Sequence, residues 1–135
     1  HAASRTGQIE WLGLLSPQRC RQLMAQARLL IFPSICYETF GLSIAEAFCA
    51  GTAVVATRGG AAEDHIEHGK NGWLCAPRDA QALATQIRRV WRTPSALAAA
   101  GRRARASYEE RFGARRGYET LMEVYQQALQ TAMNQ

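Results

Sequence analysis

The residues best suited to chemistry lie in one stretch, Pro33-Ser34-Ile35-Cys36-Tyr37-Glu38-Thr39-Phe40-Gly41-Leu42-Ser43-Ile44-Ala45-Glu46-Ala47. Glu38 and Glu46 bracket Gly41, the expected entry to a helix. The first amides of that helix, notably those of Leu42 and Ser43, have no intrahelical acceptor and carry the positive end of the helix dipole. Such a tip binds phosphate without a basic side chain, and Gly41 lets the backbone approach a ligand closely. Glu46 would stand roughly 7 Å along the axis from the helix start. Glu38 would lie on the loop at the other side of the tip. Two carboxylates so placed can accept hydrogen bonds from hydroxyls on both sides of a diphosphate, a ribose on one side and a sugar on the other. By spacing alone, such a pair is more often two surface glutamates.

The flanking patterns say what must hold this stretch in place. Gln8 to Gly13, with Ile9, Trp11 and Leu12, reads as a short strand, and Ser16-Pro17 as an N-cap with proline at the first helical position. The helix that follows carries Cys20, Leu23, Met24 and Ala27 on one face. Leu29 to Phe32 is wholly apolar and ends at Pro33, the pattern of a strand buried on both faces. A second helix over Leu42 to Ala50 stops at Gly51. Ala53 to Ala56 forms another buried strand, Ala62 to Glu67 a short helix, and Trp73 to Cys75 a last strand. Asp79 caps a helix to Arg92, in which Leu83, Ile87, Val90 and Trp91 form the core face. Ser95 caps another to about Tyr108, Phe112-Gly113 breaks it, and Ala114 to Met133 is a long final helix. Strands alternating with helices predict an α/β fold, a Rossmann-like parallel sheet flanked by helices with a helical C-terminal tail. Ligands of such sheets bind beyond the carboxyl ends of the strands, where Glu38 falls. One domain over 1–135 is expected, with an α/β core at 8–77 and helices at 79–135.

Composition sets the outer bounds. With 135 residues, 47% of them hydrophobic and 20% charged, the chain can bury a core without disulfides or a structural metal. It is neither disordered nor collagen-like. No apolar run approaches the ~18–20 residues that span a bilayer, and no signal peptide is visible. His rather than Met at position 1 leads us to expect a piece of a longer chain. The net charge of +5 is uneven: nine Arg between Arg88 and Arg116 against Glu109 and Glu110 give +7, and the remainder gives −2. Such a patch can serve nucleic acid or an anionic membrane, and solvated helix faces are the plainer reading. Cys20, Cys36, Cys49 and Cys75 form no C-x-x-C pair, which disfavours zinc and redox motifs and fits a reducing, cytoplasmic setting. Cys36 and Cys49 read as small core residues.

The central stretch resembles the E-x7-E signature of retaining glycosyltransferases of family 4, enzymes of the two-domain GT-B fold. The likeness extends over Pro33-Ser34, Phe40-Gly41-Leu42, Glu46-Ala47, Ala50-Gly51-Thr52, Val54-Val55-Ala56, Gly59-Gly60, Glu63, Gly69, Asn71-Gly72 and Trp73-Leu74. It implies the C-terminal, donor-binding half of a hexosyltransferase-like enzyme, of the kind used in bacterial cell-surface glycan synthesis. Glu38 would be the catalytic-site residue beside the transferred sugar. The amides of Phe40, Gly41, Leu42 and Ser43 would meet the sugar and distal phosphate. Glu46 would bind the ribose, and the Leu15 main chain the base. No metal or other cofactor is expected, the nucleotide-diphosphate sugar being the substrate.

Gly13-Leu14-Leu15-Ser16-Pro17-Gln18-Arg19 superficially resembles the family's Gly-Arg-Leu-Ser-Pro-Glu-Lys segment, whose basic residues neutralise the diphosphate. Position 14 is Leu, however, and Glu38 follows after only one helix and one strand. The basic clamp and the N-terminal acceptor domain are therefore expected to be missing here, and the chain alone to be inactive. The expected partners are a nucleotide sugar and that missing domain, with peripheral membrane contact through the Arg-rich tail and no nucleic acid. The competing readings are a non-catalytic nucleotide-binding half-domain that pairs with another chain, and a basic nucleic-acid-binding module. His65 and His68, three apart beside Glu63, Asp64 and Glu67, read as non-metal residues. Glu63 is a weaker candidate for the sugar pocket, and Trp11, Trp73 and Trp91 read as packing residues.

Overall fold

A computed structural model describes residues 9–133. The helices are α1 (Pro17–Gln26), α2 (Leu42–Cys49), α3 (Ala61–His65), α4 (Ala80–Trp91), α5 (Pro94–Arg111) and α6 (Ala114–Met133). The strands are β1 (Leu30–Phe32), β2 (Val54–Thr57) and β3 (Gly72–Cys75). They form one parallel sheet in the order β1-β2-β3, with Leu30 opposite Val54 and Val55 opposite Trp73. The fold is the expected α/β class.

The central strand explains the layering. All four residues of β2 are buried, and alternation sends them to opposite faces. Val54 and Ala56 pack with Ile44, Ala47 and Phe48 of α2, Ala62 of α3 and Ala104 of α5. Ala53 and Val55 join Trp73, Val90, Leu97 and Ala100 on the other face. Helix α2 is thus pinned through Ile44, Ala47 and Phe48, all fully buried, which points its tip beyond the carboxyl end of β1. Two caps read from the sequence are present: Ser16 accepts from the Arg19 amide at 3.3 Å and Asp79 from the Ala82 amide at 2.8 Å.

Several local expectations are corrected. Residues 9–13 form no strand, and Trp11 and Leu14 are exposed; Gln8 lies outside the described residues. An extended segment gains its hydrogen bonds only from a neighbouring strand, and none pairs with this one among the described residues. Ile31 is 44% exposed, so β1 is not buried on both faces. Among the described residues it is an edge strand, and α4 packs mainly on β2 and β3. Helix α5 begins at Pro94 with Thr93 rather than Ser95 at its cap, and runs to Arg111. Cys36 is exposed, whereas Cys75 is buried and its thiol is pushed up by that burial. Trp91 is half exposed, with the Arg28 guanidinium 4.1 Å from its ring centroid.

Candidate functional site

The loop between β1 and α2 is held at both ends. Ser34, just past β1, donates from Oγ to Glu38 Oε1 at 3.2 Å and accepts from the Cys36 amide at 3.3 Å. Thr57, at the end of β2, donates from Oγ1 to the Ser34 carbonyl. The Glu38 carboxylate is therefore oriented from the strand ends, on a half-buried residue. On its main-chain side, the Ala61 amide donates to the Glu38 carbonyl at 2.9 Å. This contact needs glycine at position 60, where an added Cβ would lie 2.5 Å from that carbonyl oxygen.

Gly41 turns the chain into α2 in the left-handed region, with φ 66° and ψ 54°. No side chain caps the helix. The Ile44 and Ala45 amides both donate back to the Gly41 carbonyl, which leaves the Leu42 and Ser43 amides at the tip without an intrahelical acceptor. Gly41 itself is buried, Leu42 is exposed and Ser43 is half-buried.

Beside the tip lies a cavity of about 380 Å³ lined by Arg21, Phe40, Leu42, Ala45, Glu46, Cys49, Tyr108 and Phe112. Three expected site residues (Phe40, Leu42 and Glu46) meet there. Glu38, Gly41 and Ser43 adjoin them along the chain without lining it. Leu15 is half-buried and also outside the lining.

Arg21, Tyr108 and Phe112 are lining residues that sequence reasoning missed. Tyr108, in the last turn of α5, and Phe112, at its C-cap, fall on one face by their four-residue spacing. They reach α2 because Gly101 and Gly51 allow the two segments into contact: a Cβ at Gly101 would lie 2.4 Å from the Gly51 carbonyl oxygen. A hydrogen bond with the neighbouring Cys49 pushes the Tyr108 phenol up.

The smaller signals resolve into local contacts. His65 Nε2 is 2.6 Å from the Phe40 carbonyl oxygen, and His68 Nδ1 accepts from the Leu74 amide at 3.1 Å. Glu63 pairs with Arg58 at 3.3 Å across the Gly59-Gly60 turn. Of the C-terminal arginines, Arg105 pairs with Glu109, Arg115 with Glu119, and Arg116 with Glu119 and Glu123. Arg111 donates to the Asp64 carbonyl at 3.0 Å.

Residues 1–93 match the family model described as glycosyl transferases group 1. A glycogen synthase of Mycobacterium tuberculosis is 39% identical over 97 residues, which cover 72% of this chain and 22% of that protein. Anabaena HepE, solved in complex with UDP-glucose, aligns with a TM-score of 0.75 at 30% identity, covering 96% of this chain and 33% of its own. A sucrose-phosphate synthase from Thermosynechococcus elongatus aligns with a TM-score of 0.86 at 25% identity, covering 93% and 31%. The chain thus spans between about a fifth and a third of the length of these proteins.

Proposed function

Since the chain belongs to the group 1 glycosyl transferases, we propose that it forms the donor-binding part of a longer, retaining GT-B enzyme. That enzyme moves a sugar from a nucleoside diphosphate sugar to an acceptor. The observation that carries this reading is the uncapped tip of α2, set between Glu38 on its loop and Glu46 on the helix. The amides of Phe40, Gly41, Leu42 and Ser43 take the distal phosphate and the sugar. Glu46, at the cavity, takes the ribose hydroxyls, Glu38 takes hydroxyls of the transferred sugar, and the Leu15 main chain meets the base. The UDP-glucose bound to HepE supports a nucleotide sugar as the ligand class. The diphosphate charge is met by helix amides and by basic groups from a preceding segment, without a bound metal.

The acceptor site belongs to an N-terminal domain outside this chain. In support, α6 buries none of its described side chains and leaves Tyr118, Leu121, Val124, Tyr125 and Leu129 exposed. Among the described residues no helix is long and apolar enough to cross a membrane. The proposed setting is cytoplasmic, with peripheral membrane contact through the Arg-rich tail.

Titrating the full-length protein with UDP, ADP and GDP, and with single-stranded nucleic acid across a salt series, tests the reading. One nucleoside diphosphate should bind, and Glu46→Ala should raise the donor KM about tenfold, the loss of a hydrogen bond to a charged group. Binding of nucleic acid with a steep salt slope, and of no nucleoside diphosphate, would contradict it.

A further inference from the structure

The imidazole of His65 is a side chain that the proposed chemistry leaves without a role. The residue is 6% exposed, and its ring stands edge-on to Phe40 and Phe112 with centroids 5.4 and 4.9 Å away. Nε2 lies 2.6 Å from the Phe40 carbonyl oxygen. A carbonyl can only accept, so Nε2 carries the hydrogen. Nδ1 is buried without a partner among the described residues. A ring kept in an apolar setting with one nitrogen unpaired costs more to bury than an aliphatic side chain. The bond to Phe40 is what the imidazole contributes there. The residue's own backbone is anchored in turn, since Asn71 Nδ2 donates to the His65 carbonyl at 3.1 Å and Asn71 is buried.

The consequence follows from peptide geometry. In a trans peptide the carbonyl and the amide N–H point in opposite directions. Tying the Phe40 carbonyl to His65 therefore turns the Gly41 N–H away from α3. The Glu38 carbonyl is tied to α3 as well, through the Ala61 amide, so two alternate carbonyls of the loop face that helix. The Gly41 N–H donates to no group among the described residues. We propose that His65 is a positioning residue: by holding the Phe40 carbonyl it aims the Gly41 amide at the distal phosphate of the donor. This rests on the donor-site reading above, and its own signature is confined to that phosphate.

The test uses the full-length protein and calorimetric titration with the nucleoside diphosphate it binds most tightly among UDP, ADP and GDP, beside the matching monophosphate. His65→Leu should weaken diphosphate binding about tenfold, the value of one charge-assisted hydrogen bond. Monophosphate binding should stay within about twofold. His65→Gln, whose amide can donate from near the Nε2 position, should restore diphosphate affinity to within about twofold of wild type. Should His65→Leu not fold, His65→Asn, polar but too short to reach Phe40, should give the same diphosphate-to-monophosphate ratio. Equal losses for the two nucleotides would mean a merely structural histidine, and no loss for either would mean that the bond does not aim the amide; both overturn the proposal while leaving the donor reading intact. A wild-type protein that binds no nucleoside diphosphate would overturn that reading itself.

Discussion

Replacing Glu38 with Gln should lower kcat/KM of the full-length protein about 10³-fold, mostly through kcat, if the proposed sugar transfer is its reaction. The carboxylate is oriented by Ser34 Oγ at 3.2 Å, and in the proposed reaction it meets the sugar on which charge develops as the nucleotide departs. Removing one preorganised group that stabilises developing charge costs on the order of 10²–10³ in rate. Gln is nearly isosteric, and the main-chain tie from the Ala61 amide to the Glu38 carbonyl is unchanged, so the fold should persist. Glu46→Ala, by contrast, should act chiefly on KM, because the proposed ribose contact is the same in ground and transition states. Steady-state kinetics of the two variants side by side check the assignment. Wild-type turnover by Glu38→Gln would remove Glu38 from the reaction.

The second large effect is on the scaffold. Gly60 has φ 50° and ψ −138°, a conformation that costs a non-glycine residue about 1–3 kcal/mol. Its added Cβ would also lie 2.5 Å from the Glu38 carbonyl oxygen, a backbone atom with little room to yield. Gly60→Ala should therefore lose about 2–4 kcal/mol of stability, combining backbone strain with overpacking. Any relaxation moves the Glu38 loop, so activity falls too. Gly59 provides the control: its φ is 131° and an added Cβ there meets nothing within 4 Å. Gly59→Ala should cost about 1 kcal/mol from strain alone. Urea denaturation of both variants separates the terms, and equal losses would show that the approach of Gly60 to Glu38 is unimportant.

What the sequence made legible was set by locality. Ser16, Asp79 and the Phe112-Gly113 break act within one helical turn, so residue type alone announces them. The geometry of the candidate stretch was legible for a related reason: Glu38, Gly41 and Glu46 lie within nine residues, and the expected helix start after Gly41 is present without a side-chain cap. What failed depended on partners distant in the chain. The apolar residues Ile9, Trp11 and Leu12 suited a short strand, but a strand exists only by pairing. Ile31 looked buried because its neighbours are apolar, and its place on the edge of the described sheet leaves it 44% exposed. The bond from His65 to Phe40 spans 25 positions, and Tyr108 and Phe112 reach the cavity through the close contact of Gly101 with Gly51. No spacing rule in the sequence announces contacts of that kind.

Binding of the diphosphate at the tip of α2 is decided by a crystal structure of the full-length protein with its nucleotide sugar. The distal phosphate should lie within about 3 Å of the Leu42 and Ser43 amide nitrogens, with the ribose on Glu46 and the transferred sugar beside Glu38. A diphosphate held elsewhere, for instance among the arginines between Arg88 and Arg116, with the tip of α2 unoccupied, would contradict it.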